Sequence, residues 1–360
     1  MATVFNLGSQ LLAVQTGDPY QSNPSIVALT RVQSANLQIN QARESVFDLN
    51  GNGAATIVTR PVPSIDFSYY LSSGLNEKLL GFPTDGASVL AALNSSEQNY
   101  YFTANADRQD VFNYSGNNIR TWALGNAVIT NYSISCAVGQ IPSANVTIEG
   151  LNLLLQTGRS GQYLPSVNKQ TAINSTGVYD LPIFTPENNT FSVVRPGDAE
   201  LIFNLVDGGG IGVTLSGANR CPINSFSASI DLPRTSIKEI GWAYPENKLL
   251  QTPITINVQA NANVTEYQAT LLNQSLCPDV GMSVTLRLNR PCNQSGKIEY
   301  TFNGLKLDSQ SISAQLGQVN KINFSWSAKV YDLIGFGENS QNFVFVVPFS
   351  MTENPPPQFG

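Results

Sequence analysis

The chain alternates apolar and polar residues over many short stretches. Leu37-Gln38-Ile39, Ile65-Asp66-Phe67-Ser68-Tyr69, Ile254-Thr255-Ile256-Asn257-Val258 and Ile322-Asn323-Phe324-Ser325-Trp326 switch character at every step. Period two predicts strands with one buried face, because successive side chains leave opposite sides of a pleated sheet. Pro63 and Pro253 stand at the entrances of two such runs, where a missing N–H does least harm. Two apolar runs, residues 200–206 and 211–215, flank Asp207-Gly208-Gly209-Gly210 and predict a glycine-turned hairpin. Tyr100-Tyr101-Phe102 opens a further strand, with its rings assigned to the core. Helical signal is confined to residues 86–93, capped near Asp85, and residues 265–272.

The strand pattern occurs twice. Val32-Gln33-Ser34-Ala35-Asn36-Leu37-Gln38-Ile39 and the following Arg43-Glu44-Ser45-Val46-Phe47-Asp48-Leu49 align without gaps on Ile223-Asn224-Ser225-Phe226-Ser227-Ala228-Ser229-Ile230 and Arg234-Thr235-Ser236-Ile237-Lys238-Glu239-Ile240. Later, Ser133-Ile134-Ser135-Cys136-Ala137-Val138-Gly139-Gln140-Ile141 matches Ser311-Ile312-Ser313-Ala314-Gln315-Leu316-Gly317-Gln318-Val319. Two blocks in one order predict an internal duplication. The expected organisation is a first domain over 1–157 with an N-terminal arm, a connection over 158–196, and a second domain over 197–360. The connection is rich in Ser, Asn, Gly, Thr and Pro, has no partner in the repeat and reads as partly ordered. The Pro-rich tail, 353–360, reads as an extended arm or a frayed end. The predicted fold class is all-β, with one short helix per domain and two tandem sandwich or barrel domains.

Composition narrows the chemistry. Only 12% of the residues are charged, against about a quarter in a typical domain, so Asn, Gln, Ser and Thr must supply the polar surface. Such a surface suits protein contacts more than electrostatic steering, and a net charge of −6 disfavours binding to nucleic-acid phosphates. No transmembrane run or secretory signal is legible. Cys136, Cys221, Cys277 and Cys292 form no CxxC pair and read as reduced thiols of a cytosolic product. The chain has no histidine, which removes the commonest general base and metal ligand. Its carboxylates show no catalytic spacing, and Gly208-Gly209-Gly210-Ile211-Gly212 lacks the Lys-Ser/Thr ending of a phosphate loop. The sequence therefore predicts no catalytic, cofactor or metal residue. Arg43 and Arg234 share one repeat position, which favours a structural role at a domain or subunit contact over ligand binding. Trp242 and Trp326 read as core or interface aromatics.

The matched blocks resemble the domain of phage tail tube proteins. The resemblance rests on the opening strand from Ser34 to Arg43 and its apolar sequel Val46-Phe47-Asp48-Leu49, repeated from Ser225 to Arg234 with Ile237-Lys238-Glu239-Ile240. It rests also on the late strand pairs that end in Asn145-Val146-Thr147-Ile148 and Asn323-Phe324-Ser325-Trp326. It covers about two thirds of the chain. It implies small β-sandwiches with one flanking helix, six of which close a ring around one continuous inner barrel. Rings stack into a tube that holds a tape-measure protein and later conducts DNA without binding it specifically. Two domains per chain imply a homotrimer with pseudo-sixfold rings, located in a virion tail, assembled in the host cytoplasm and not inserted in a membrane. The resemblance also places the segments after each Arg against the next ring. The candidate interface residues are Arg43, Asp48, Asn50, Gly51, Asn52, Gly53 and Arg60 in the first copy, and Arg234, Glu239, Trp242 and Glu246 in the second. An acidic conduit is expected to present a net negative lumen. Two alternatives stay open: a baseplate hub or other terminal tail protein, and a two-domain carbohydrate-binding or adhesin module.

Overall fold

The computed structural model describes residues 10–16, 25–41, 43–47, 54–58, 62–72, 74–105, 119–165, 173–182, 199–206, 223–237, 239–240, 245, 247–263, 281–289, 297–313, 321–331 and 343–346. The chain is all-β, with two short helices among these residues. The first copy contributes β1 (Gln10–Thr16), β2 (Ser25–Ala28), β3 (Val32–Asn40), β4 (Arg43–Phe47), β5 (Ala54–Val58) and β6 (Val62–Tyr70). After these come α1 (Leu75–Leu79), β7 (Asp85–Ser88), α2 (Val89–Ser95), β8 (Gln98–Asn105), β9 (Ile119–Ala137), β10 (Ser143–Glu149) and β11 (Asn152–Thr157). The connection forms β12 (Gln162–Pro165) and β13 (Ile173–Tyr179). The second copy contributes β14 (Ala199–Val206), β15 (Ile223–Asp231), β16 (Arg234–Ile237), β17 (Asn247–Leu250) and β18 (Ile254–Asn263). It ends with β19 (Gly281–Asn289), β20 (Lys297–Ser313), β21 (Lys321–Val330) and β22 (Phe343–Val346).

Both copies use one plan. In the first, antiparallel strands run β3-β6-β10-β9; in the second they run β15-β18-β21-β20. The registers agree residue for residue. Ser34 pairs Ser68 as Ser225 pairs Asn261, and Asn145 pairs Ser133 as Asn323 pairs Ser311. Irregularities recur too: the register shifts after Val32 and after Ile223, and again opposite Thr130 and opposite Asp308. Each copy adds a second sheet, ordered β1-β8-β9-β11 in the first and β14-β19-β20-β22 in the second.

The long strands β9 and β20 belong to both sheets of their copy. Each bends at one left-handed residue, Asn126 (φ 50°) or Gly304 (φ 71°), which are repeat equivalents. Asn and Gly are the residues that tolerate this conformation, and a strand that bends can turn the corner between packed sheets. In the first copy Asn99 accepts from the Asn126 backbone N–H, and Glu97 accepts from its side chain.

The copies are not two separate sandwiches. β9 pairs with β15, so the two four-stranded sheets form one continuous eight-stranded sheet. β7, from the first copy, pairs with β22 in the second sheet of the second copy. One hydrophobic cluster spans both copies, from Leu12, Ile65 and Tyr132 to Ile256, Tyr300 and Phe345. The β12–β13 hairpin of the connection packs against the first copy. Leu164, Tyr179 and Leu181 pack there with Leu11, Tyr101 and Ala123 in a smaller cluster.

Several local expectations are corrected. Residues 86–93 do not form one helix: residues 85–88 pair as β7, and α2 starts at Val89 behind a Ser88 cap. Gly86 sits at φ +86°, which a helix cannot include. Pro63 lies second within β6 rather than before it. The helix predicted at 265–272, the return strand at 211–215 and the tail 353–360 lie outside the described residues.

Candidate assembly edges

The β9–β15 joint is the place to read how one copy meets another. Ser133 pairs Ser229, Ile134 pairs Ala228 and Ser135 pairs Ser227. The Asn131 side chain donates to the Asp231 carboxylate at 2.5 Å, and the Leu232 N–H donates to the Thr130 carbonyl at 2.8 Å. At the other end the Val138 N–H donates to the Asn224 carbonyl at 2.9 Å. Phe226, Ala228 and Ile230 are buried on the core side.

A clamp flanks this joint. β16 and β17 form a hairpin (Arg234 pairs Leu250) that lies against the first copy. Arg234 donates to the carbonyl oxygens of Leu93, at 2.5 Å, and Asn94 in the last turn of α2, and to that of Lys248. A cation there meets carbonyls that have no partner within the helix. Lys248 is buried; its ammonium donates to the Gly150 carbonyl at 3.2 Å and pairs with Glu149 at 2.6 Å. Burial lowers the pKa of both Arg234 and Lys248, and the bonded Glu149 carboxylate opposes the shift at Lys248.

Inside the joint lies a buried carboxyl. Glu77 Oε1 accepts from Tyr69 at 2.8 Å and Tyr132 at 3.4 Å in the first copy, and from Tyr300 at 2.9 Å in the second. Burial raises the Glu77 pKa, against the opposing pull of these hydrogen bonds. The hydroxyls tie both copies to one oxygen, and Phe82 packs edge-on against Tyr132, Phe343 and Phe345 beside it.

The outermost strands of the eight-stranded sheet are β3 and the last part of β20. They are the repeat equivalents of β15 and β9, the strands that pair in the internal joint. The edges carry apolar residues to solvent: Ile39 is 49% exposed where its equivalent Ile230 is 1% exposed, and Ile312 is 58% exposed where Ile134 is 1%. Unpaired edges with exposed apolar residues are templates for further strand pairing.

Of the candidate interface residues, Arg43 and Arg234 each open a hairpin: Arg43 opens β4, paired with Val58 of β5, as Arg234 opens β16. Asp48, Asn50, Gly51, Asn52, Gly53 and Arg60 lie outside the described residues, as do Trp242 and Glu246. Glu239 is exposed beyond β16, beside the fully exposed Ile240. Trp326 is buried and stacked on Phe324, with ring centroids 5.2 Å apart. Sequence reasoning did not single out Glu77, Lys248, Ile39 or Ile312. The repeat alignment holds a signal for the last two, since it sets Ile39 opposite Ile230 and Ile312 opposite Ile134.

No family model matches the chain, and no curated protein matches it. Among solved structures, it is similar to the PVC sheath/tube terminator of an extracellular contractile injection system in the extended state. That match is 13% identical, covers 43% of this chain and 99% of the other, and has a TM-score of 0.29. It is also similar to the tube-terminating cap of the anti-feeding prophage, at 15% identity, 44% and 94% coverage and a TM-score of 0.29.

Proposed function

We propose that this chain is a structural subunit of a phage tail tube, with trimers forming pseudo-hexameric rings that stack into a conduit for DNA. One observation carries the reading: the two copies join head to tail. The last strand of the first copy's sheet pairs with the first strand of the second, and no described strand pairs with the same two strand types at the outer edges. A head-to-tail contact leaves one edge of each kind unused, so it can be repeated by further chains until a ring closes. Closure removes both edges at once.

The open face of the eight-stranded sheet suits the lining of a conduit. It is mostly hydroxyl and amide, with Ser133, Ser229, Asn257, Gln259 and Asn323 among its residues. Asp66, Asp231 and Asp308 are matched there by Lys306, Lys321 and Lys329, and Glu149 is held by Lys248. Charges balance among the described residues of this face, so the lining proposed here is near neutral rather than the net negative one expected from the overall charge. DNA slides along such a face because few cations hold its phosphates.

The tape-measure protein and the tail-end proteins are the further partners in this reading, and no step of it calls for enzymatic chemistry. The test is sedimentation velocity over a wide concentration range, with negative-stain microscopy of the same samples. A trimeric species that grows into tubes is expected. Rings that never stack would favour a hub or terminal protein, and persistent monomers that bind glycans would favour the adhesin module.

A further inference from the structure

The internal joint is a template for the contact between chains. From its registers we infer that Ser309–Ser313 of β20 pairs antiparallel with the β3 edge of a second copy in one defined register. Ser311 faces Gln38, Ile312 faces Leu37 and Ser313 faces Asn36. This inference rests on the reading of the chain as a ring-forming subunit and adds the residue pairing, which that reading leaves open.

The equivalences lie in the strand pairing itself. Ser229 is equivalent to Gln38 and Ser133 to Ser311, because each pair holds the same place in matching registers. Ser133 faces Ser229 within the chain, so Ser311 faces Gln38 between chains. The chemistry of the two edges fits. Ile312 and Leu37 meet on the core side, where Ile134 and Ala228 are buried in the internal joint. Gln38, Ser311, Asn36 and Ser313 fall on the polar open face, where Ser133, Ser229, Ser135 and Ser227 face each other inside the chain. At the end of the joint the Gln41 N–H meets the Asp308 carbonyl, in the place of Leu232 and Thr130. A shift by one residue would turn Leu37 and Ile312 onto opposite faces, so the apolar pattern rejects it.

The same registers fix the slope of the wall. Partners followed across the first copy from Asn36 run through Asp66, Thr147 and Asn131 to Asp231, the equivalent of Asn40. A second path from Ser34 through Ser68, Asn145 and Ser133 ends on Ser229, the equivalent of Gln38. Each path advances four residues over four strands. One residue of shear per strand is the ratio of the eight-stranded barrel with shear 8, whose strands tilt by about 36°. Three chains of eight strands, ~4.8 Å apart at that tilt, enclose a backbone cylinder roughly 45 Å across, wider than a DNA duplex.

The test is paired cysteine substitution in the full chain, oxidised after assembly, with the linked peptides mapped. Ser133→Cys with Ser229→Cys calibrates the yield, since these positions already face each other within the chain. Gln38→Cys with Ser311→Cys should link neighbouring chains at a comparable yield and give covalent trimers on a denaturing gel. Ser34→Cys with Ser311→Cys, misaligned by about 13 Å along the strand, should give none. Rings that form but stay unlinked in the Gln38→Cys, Ser311→Cys variant, or that link through the misaligned pair, overturn the register and leave the ring reading standing. Chains that remain monomeric overturn both.

Discussion

Ile230 and Ile39 hold the same place in the two copies and differ in surroundings. Ile230 is 1% exposed because β9 covers its strand; Ile39 is 49% exposed because no described strand covers that edge of β3. Complete burial of an isoleucine side chain contributes about 1.5–3 kcal/mol. Ile230→Ala also leaves a cavity, so it should destabilise the isolated chain by about 2–5 kcal/mol. Ile39→Ala removes a side chain already half in water and should cost the isolated chain roughly 1 kcal/mol or less. The other half of its burial is reached only when a second chain adds β20. Its loss should weaken each contact between chains by about 1 kcal/mol, roughly fivefold in affinity, and the effect repeats at every joint of the ring. Thermal melts of dilute, dissociated protein report the first quantity, and the concentration at half-assembly in sedimentation reports the second. Ile230→Ala should lower the melting temperature strongly; Ile39→Ala should leave it nearly unchanged and move assembly to higher concentration. Equal melting losses, or wild-type assembly of Ile39→Ala, would refute the equivalence of the two joints.

Arg234→Ala removes charged hydrogen bonds to the α2 carbonyls of Leu93 and Asn94 and should cost the single chain about 1.5–3 kcal/mol in denaturant unfolding. Arg43→Ala should raise the assembly concentration more than it lowers single-chain stability, because β4 follows the edge strand β3 as β16 follows β15 at the internal joint. Glu77 has a raised pKa in the folded chain, so its protonated form stabilises the fold fully below its ordinary value of 4.5. That contribution is lost as pH rises through the folded-state pKa, and Glu77→Gln should flatten this part of the melting profile; an unchanged pH slope in the variant would count against a buried, titrating Glu77. A Cβ on Gly125 would collide with Asn152 Oδ1 and stand 2.5 Å from Pro165 Cβ, so Gly125→Ala should destabilise by about 1–3 kcal/mol in the same unfolding assay.

The strands and the duplication were legible because both are local or linear signals. Alternation marks β6, β18 and β21, and ungapped alignment marks the equivalence of β3 with β15. The hairpins β4–β5 and β16–β17 were less legible. In β16 the side chains of Arg234 and Ser236 lie closer to the protein than those of Thr235 and Ile237, so contacts rather than hydrophobicity set the pattern. Residues 86–88 continue the helical pattern of Val89 and Leu90 in α2 without a break in the sequence; the pairing of β7 with β22 outweighs that local preference. The joint itself was not legible, since β9 continues over 19 residues and divides its partners between two sheets. Glu77 gave no signal because two of its three tyrosine partners, Tyr132 and Tyr300, lie far away in the sequence. The edge residues Ile39 and Ile312 look like ordinary strand positions until their buried equivalents are set beside them.

Whether the joint inside the chain repeats between chains is visible in a cryo-electron microscopy reconstruction of the assembled particle. Threefold rings are expected, with an inner wall that is one continuous sheet of three times eight strands, tilted by about 36°, and with β20 of each chain beside β3 of the next. A particle in which β3 and β20 both face solvent, or in which the chains meet only through the hairpins, would contradict it.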